Sequence, residues 1–382
     1  MSAPADACAL DRACALALAE LPAMTQGRLR HLLSRRSPAA VWSSLSGPPG
    51  RHRAAPSGID ARVLGRWRER AASTDPLLRR EEYRRQGVDV LVRGASGYPG
   101  RLAEDPAAPE VLFVRGDPAV LDAPVVALVG TRSCTGYGAV VARRLGRGLA
   151  ASGVVVLSGL ASGIDAAAHR GALGIPGAPV AGAVPGGLGR VYPAGSADLW
   201  EEVPRRGALL SEAPLGARPE RWRFRRRNAM VAGLADVVVV VESHPAGGSL
   251  VTADLAAERG VTVMAVPGPV TSRASAGTNG LIAAGATLAQ DLDDVLMAVG
   301  LGGGLRRAAG RSGPVDPPAP AGEGSPGGAG AALLAAVDAT PTGLEAVLDR
   351  TGLGPVEAAA GLARLVDAGR LRAGPGWWAR PG

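Results

Sequence analysis

The sequence predicts an α/β protein built on a doubly wound, mostly parallel sheet, and three observations carry that prediction. Six short apolar runs recur: VVALV (125–129), VVVLS (154–158), PVAGAV (179–184), ALLS (208–211), DVVVVVE (236–242) and VTVMAV (261–266). Helical stretches such as YGAVVARRLGRGLAAS and GSLVTADLAAERG lie between them. The runs are apolar along their whole length rather than alternating, which is the pattern of strands covered on both faces. Parallel strands need right-handed crossovers, so helices fall on both sides of the sheet.

The chain has 382 residues, 47% of them apolar and only 3% aromatic, so it is globular with a core of Val, Leu and Ala. Residues 1–86 read as short helices with a small core of their own. GRLRHLLSRR and SPAAVWSSL carry apolar residues at three- and four-residue spacing, and Ser37-Pro38 is a helix start. Residues 87–299 hold the sheet, led in by VDVLV and EVLFVRG around the turn YPG. Residues 300–329 form a Gly/Pro-rich linker. Residues 330–382 read helix–helix–helix–hairpin, the order of a winged helix, with AAAGLARLVDAG as third helix and GRLRAGPGWWAR as wing.

The net charge is +8 and the sequence contains no lysine, so every fixed side-chain cation is arginine. The balance suits an acidic partner, and guanidinium groups fork onto phosphate and stack on rings. Without lysine, a P-loop ATPase and a pyridoxal Schiff base are excluded. Three cysteines without metal-binding spacing suit a reducing cytoplasm. No apolar run reaches the length of a membrane span.

In such a sheet, ligands bind beyond the carboxyl ends of the strands. Three Gly/Ser loops into helix starts follow strands there. They are VGTRSCTGYG (129–138), SGLASGID (158–165) and SHPAGGSLVTA (243–253). Together they promise a row of backbone N–H donors for phosphates. The first lacks the spacing of a dinucleotide-binding loop, and no acid closes the second strand, so a nicotinamide dehydrogenase is disfavoured. RWRFRRRN (221–228) follows the ALLSEAP strand end and lies at the same edge. If helical, it sets Arg221, Phe224 and Asn228 on one face. Five arginines that close repel one another, which an anionic partner relieves, and a ring offers a platform for a base. These patterns point to single-stranded nucleic acid as the ligand.

Taken in order, VALVGTRSCTGYG, SGLASGIDAAAH, PGGLGRVYP, SEAP…FRRRNAMVAGL and GGSLVTADLAAERGVTVMAVPG…GTNGLIAAGA resemble the core of the DNA-processing protein A family (DprA, also called Smf). The likeness runs over roughly residues 10–300, and the tail is similar to the winged-helix domain many members carry. The resemblance implies an extended Rossmann-like domain behind an N-terminal helical domain of the SAM or helix-hairpin-helix type. It implies a protein without catalysis or cofactor that binds single-stranded DNA, loads the RecA recombinase onto it in natural transformation, and acts as a homodimer. Carried over by residue, the phosphate loop falls on Gly130, Thr131, Arg132, Ser133, Thr135, Tyr137 and Gly138. The family's Phe-Pro-x-Arg-Asn stretch falls on Phe224, Arg227 and Asn228, with Arg225 in place of the proline. Ser158, Gly159, Arg221, Gly248 and Ser249 complete the expected DNA-binding set. AVPGG (183–187) departs from a more usual Gly-Thr-Gly. The family's dimer contact points to 277–286.

Two rival readings each match part of the sequence. Phosphoribohydrolases share a similar sheet, but PAGGSLVTAD has Leu250-Val251 where their loop has Gly-Thr and lacks their glutamate. Asp165 and His169, a helical turn apart, mimic a catalytic pair; the sequence reading gives Asp165 a place at a helix N-terminus and His169 a packing role. A duplex-binding regulator needs a recognition helix with basic and amide groups, and AAAGLARLVDAG offers only Arg364.

Overall fold

The computed structural model describes residues 3–47, 59–300, 328–338 and, with short gaps, 342–380. The chain forms two compact units, Met1–Ala309 and Gly310–Gly382. In the first, five helices among the described residues precede the sheet: α1 (Ala3–Ala19), α2 (Gln26–Leu33), α3 (Pro38–Ser46), α4 (Ala61–Ala72) and α5 (Pro76–Arg85). Ser37 caps α3 by accepting from the Ala40 amide, and Pro38 occupies its first turn.

These helices do not close a core by themselves. Leu16, Leu18, Trp67 and Tyr83 are buried in one apolar cluster with Phe113, Val126 and Val156 of the sheet. A small, aromatic-poor helical segment buries more apolar area against a sheet than against itself. A polar clamp joins the same parts. Glu20 accepts from Arg79 at 2.7 Å and from the Tyr83 hydroxyl at 2.6 Å, and that hydroxyl accepts from the Leu215 amide at 2.9 Å.

The sheet has nine strands: β1 (Asp89–Val92), β2 (Val111–Gly116), β3 (Val125–Val129), β4 (Val155–Ser158), β5 (Val180–Ala183), β6 (Gly207–Ser211), β7 (Val237–Val240), β8 (Thr262–Ala265) and β9 (Thr287–Leu288). Their order is β1-β2-β6-β5-β4-β3-β7-β8-β9. From β6 to β9 the pairing is parallel, while β1 and β2 run antiparallel at one edge. Every residue of β3, β4, β5 and β7 is buried, as their unbroken apolar runs require.

Helices α6 (Gly100–Glu104) to α13 (Leu292–Ala298) connect and cover the strands. Those that matter here are α7 (Gly136–Ala151), α8 (Ile164–Leu173), α10 (Arg221–Leu234) and α11 (Gly248–Ala257). Small residues let α7 and α8 touch backbone to backbone. A Cβ on Gly146 would lie 2.2 Å from the Ala168 carbonyl oxygen, and one on Gly171 2.1 Å from that of Arg143. The chain order reverses between β3 and β7, so a crevice opens where α7 and α11 start.

The second unit holds α14 (Gly328–Ala336), α15 (Leu344–Thr351), helical positions at Ala358, Leu362 and Leu365, and a three-stranded antiparallel sheet. That sheet has the order β10 (Thr342–Gly343), β12 (Trp377–Ala379), β11 (Arg372–Gly374). Leu333, Val337, Val347, Leu362 and Leu371 form its core. The Gly/Pro-rich linker expected at 300–329 falls almost wholly, and Arg364 falls entirely, outside the described residues.

Candidate nucleic-acid interface

RWRFRRRN opens α10, and its arrangement inverts the usual helix rule. Five guanidinium groups stand in the first two turns, at the positive end of the helix dipole, where acids normally stabilise. The far half of the helix compensates by burying Met230, Val231 and Leu234 against the sheet. Three of the five arginines also meet acids of the chain itself. Arg226 makes a forked contact with Glu212 at 2.8 and 3.0 Å. Arg227 lies 3.7 Å from Asp165, and Arg223 lies 3.9 Å from Glu220. The expectation that an external anion must relieve the repulsion therefore holds only for part of the cluster. Arg221 and Arg225 are exposed, and among the described residues neither has an ion-pair partner.

The crevice at the strand ends contains a cavity of about 320 Å³. Gly130, Thr131 and Arg132 close one side; Phe224, Arg227 and Asn228 close another; Gly247, Gly248 and Ser249 close the third. The Arg132 guanidinium stacks 4.9 Å from the centre of the Phe224 ring. Phe224 meets Tyr192 edge-on at 6.0 Å, and a second cavity of about 180 Å³ continues past Arg132 and Gly159 towards Tyr192. Asn228 is fixed by donating to the Gly248 carbonyl at 3.2 Å.

Arg227 is 8% exposed. Burial lowers the pKa of its guanidinium, Asp165 opposes that, and the nearby Arg132 adds to it. Two like charges thus converge on one cavity. A Cβ on Gly159 would lie 1.0 Å from Arg227 Nη1, so glycine at that position makes room for the guanidinium. Asp165 accepts from the Gly159 amide at 3.1 Å. Burial pushes its carboxyl upward, opposed by Arg227 and His169. His169 is fully buried with Nε2 3.0 Å from the Ala181 carbonyl oxygen, and burial lowers its pKa.

The three loops differ from the row of free donors that the sequence suggests. In the first, Thr131 donates its amide to the Glu242 carbonyl at 2.8 Å. Thr135 donates its amide and hydroxyl to the Glu242 carboxylate at 2.9 and 2.5 Å. Glu242, itself 1% exposed, therefore takes the place at the start of α7 that a phosphate would need. Ser133 is exposed and does not line the cavity. In the second loop, Ser158 is fully buried and donates to the Leu128 carbonyl, so it does not reach the crevice. Gly163 there has φ +78°, and any Cβ would strike the Thr131 carbonyl oxygen at 2.4 Å. The third loop is the open one. Among the described residues α11 has no side-chain cap and no acid in its first turn, and nothing lies within 4 Å of a Cβ built on Gly248.

The structure thus brings Gly130, Thr131, Arg132, Phe224, Arg227, Asn228, Gly248 and Ser249 to one cavity, with Gly159 at the adjoining one. It leaves Ser133, Thr135, Ser158 and Arg221 outside. Sequence reasoning missed Tyr192, Glu212 and Glu242; only the aromatic in PGGLGRVYP was a signal.

The family model described as DNA recombination-mediator protein A matches residues 89–300. The DNA processing protein DprA of Bacillus subtilis is 35% identical over 214 residues, 56% of this chain and 72% of that protein. The chain spans about half the length (53%) of its Mycobacterium tuberculosis relatives, to which it is 46% identical over 208 residues, or 54% of this chain. The solved Streptococcus pneumoniae DNA processing protein A aligns with a TM-score of 0.62 at 29% identity, over 75% of this chain and 97% of that one. The Helicobacter pylori protein, described by its single-stranded DNA binding mode, aligns with a TM-score of 0.50 at 29% identity, over 56% and 95%. With its family motifs gathered around one crevice at the sheet's switch point, the chain belongs to the DNA recombination-mediator protein A family.

Proposed function

We propose that this chain binds single-stranded DNA in the crevice between β3 and β7, without catalysis, and presents it to the RecA recombinase as a homodimer. One observation carries the reading: the Arg132–Phe224 stack and Arg227 line one cavity together with the uncapped start of α11. Guanidinium groups hold phosphates, a ring next to them takes a base, and free helix amides favour a further phosphate. The burial of Asp165 and His169, turned to the Gly159 amide and the Ala181 carbonyl, supports a packing role over an acid–base one. The helices and three-stranded sheet of the second unit support its reading as a winged helix.

Titration of a labelled oligothymidine at several salt concentrations tests the proposal. Arg132→Ala weakens binding to all sequences alike and reduces the slope of log K against log salt by about one. Phe224→Ala costs about 1–3 kcal/mol of binding. Wild-type affinity in both variants overturns the assignment.

A further inference from the structure

The first turn of α10 carries a second aromatic–guanidinium pair that the crevice does not use. Trp222 is 53% exposed, and the Arg223 guanidinium lies 4.3 Å from its ring centre. Residues two apart on a helix are turned by about 200°, so Trp222 stands on the side of α10 away from Phe224. It borders a groove of about 710 Å³ between the N-terminal helices and the start of α10, which Arg28, Arg70 and Arg223 also line. The acids of that groove are already engaged. Glu20 takes Arg79 and the Tyr83 hydroxyl, and Glu212 takes Arg226. The groove is left with surplus positive charge.

The placement of the five arginines connects the two aromatics. At about 100° per residue, Arg223, Arg226 and Arg227 fall on the arc of α10 that faces the protein, and each has an acidic neighbour there. Arg221 and Arg225 fall on the outer arc between Trp222 and Phe224, exposed. Among the described residues, the cations on the outer route are the ones of α10 without an acidic partner.

We propose that this outer arc and the Trp222 groove form a second segment of the nucleic-acid track, an inference that rests on the single-stranded DNA reading above. A strand leaving the Phe224 cavity crosses the first turn of α10 over Arg221 and Arg225. It stacks a base on Trp222 and lays its phosphates along Arg28 and Arg70. The segment extends the footprint beyond the crevice, so it matters only to strands long enough to reach it.

Oligothymidines of about six and about twenty nucleotides separate the two segments in the full chain. Trp222→Ala lowers affinity for the long strand about tenfold and leaves the short one unchanged, since stacking on one ring is at stake. Arg225→Ala reduces the salt slope by about one for the long strand only. Equal losses at both lengths, or no loss at the long one, overturn the second segment. Phe224→Ala separates this from failure of the crevice: it weakens both lengths, and if it weakens neither, the crevice reading falls whatever Trp222 does.

Discussion

The loops after β4 and after β7 are alike in sequence, each a run of Gly and Ser leading into a helix, yet they do opposite things. The loop after β4 is closed by the chain's own charges: Asp165 holds the Gly159 amide and Arg227 covers it. The loop after β3 is closed in the same way by Glu242. The loop after β7 sends its own acid, Glu242, to the start of α7; among the described residues no acid caps α11, and Gly248 lies open at its start. A helix N-terminus draws an anion from solvent only where the protein has not supplied a carboxylate of its own. The same rule sorts the arginines of α10 into those that build the site and those left for a ligand.

Breaking a closed loop gives the largest expected effect. Gly159→Ala puts a methyl group where the Arg227 guanidinium lies and drives it from Asp165, leaving a buried acid without its counter-charge. We expect a loss of about 3 kcal/mol in denaturant unfolding, together with weak oligothymidine binding; wild-type stability would show that Arg227 has another place to go. A smaller effect follows from Glu242→Gln. It removes the charge that Thr135 binds, at a cost of about 1–3 kcal/mol. Thermal unfolding reads this loss, and affinity for oligothymidine does not fall because no phosphate contact is lost. A drop in affinity equal to that of Arg132→Ala would place Glu242 in the interface and break the comparison. The smallest change in stability belongs to Gly248→Ala, within about 0.5 kcal/mol because the space around it is empty. Its effect falls on binding, which weakens severalfold as the methyl group keeps a phosphate from the helix start. An unaltered titration curve would close the third loop as well.

Much of the sheet was legible because its signal is local. Short runs of Val and Ala with no polar alternation, set between helical stretches, are the pattern of strands in a covered parallel sheet, and all six strands read from them are present, five of them buried throughout and β8 only in its second half. The edge was less legible. β9 is two exposed residues with no pattern to read, and the apolar runs of β1 and β2 say nothing of the antiparallel direction they take. Ser158 read as a site residue because it ends a strand. Its hydroxyl turns inward to Leu128, a choice made by the neighbouring strand.

The sequence by itself determined the α/β class, the strand-end edge at which the candidate cavity lies, and the concentration of guanidinium groups beside Phe224. Those follow from residue type and from neighbours a few positions apart. Tertiary structure alone decided which charges are free. Glu242 meets Thr135 across 107 positions, and Glu212 meets Arg226 across 14. Asp165 reaches Arg227 only because α8 and α10 start at the same sheet edge. Such pairings depend on distances in space that chain spacing does not carry, and electrostatic energy falls off with those distances.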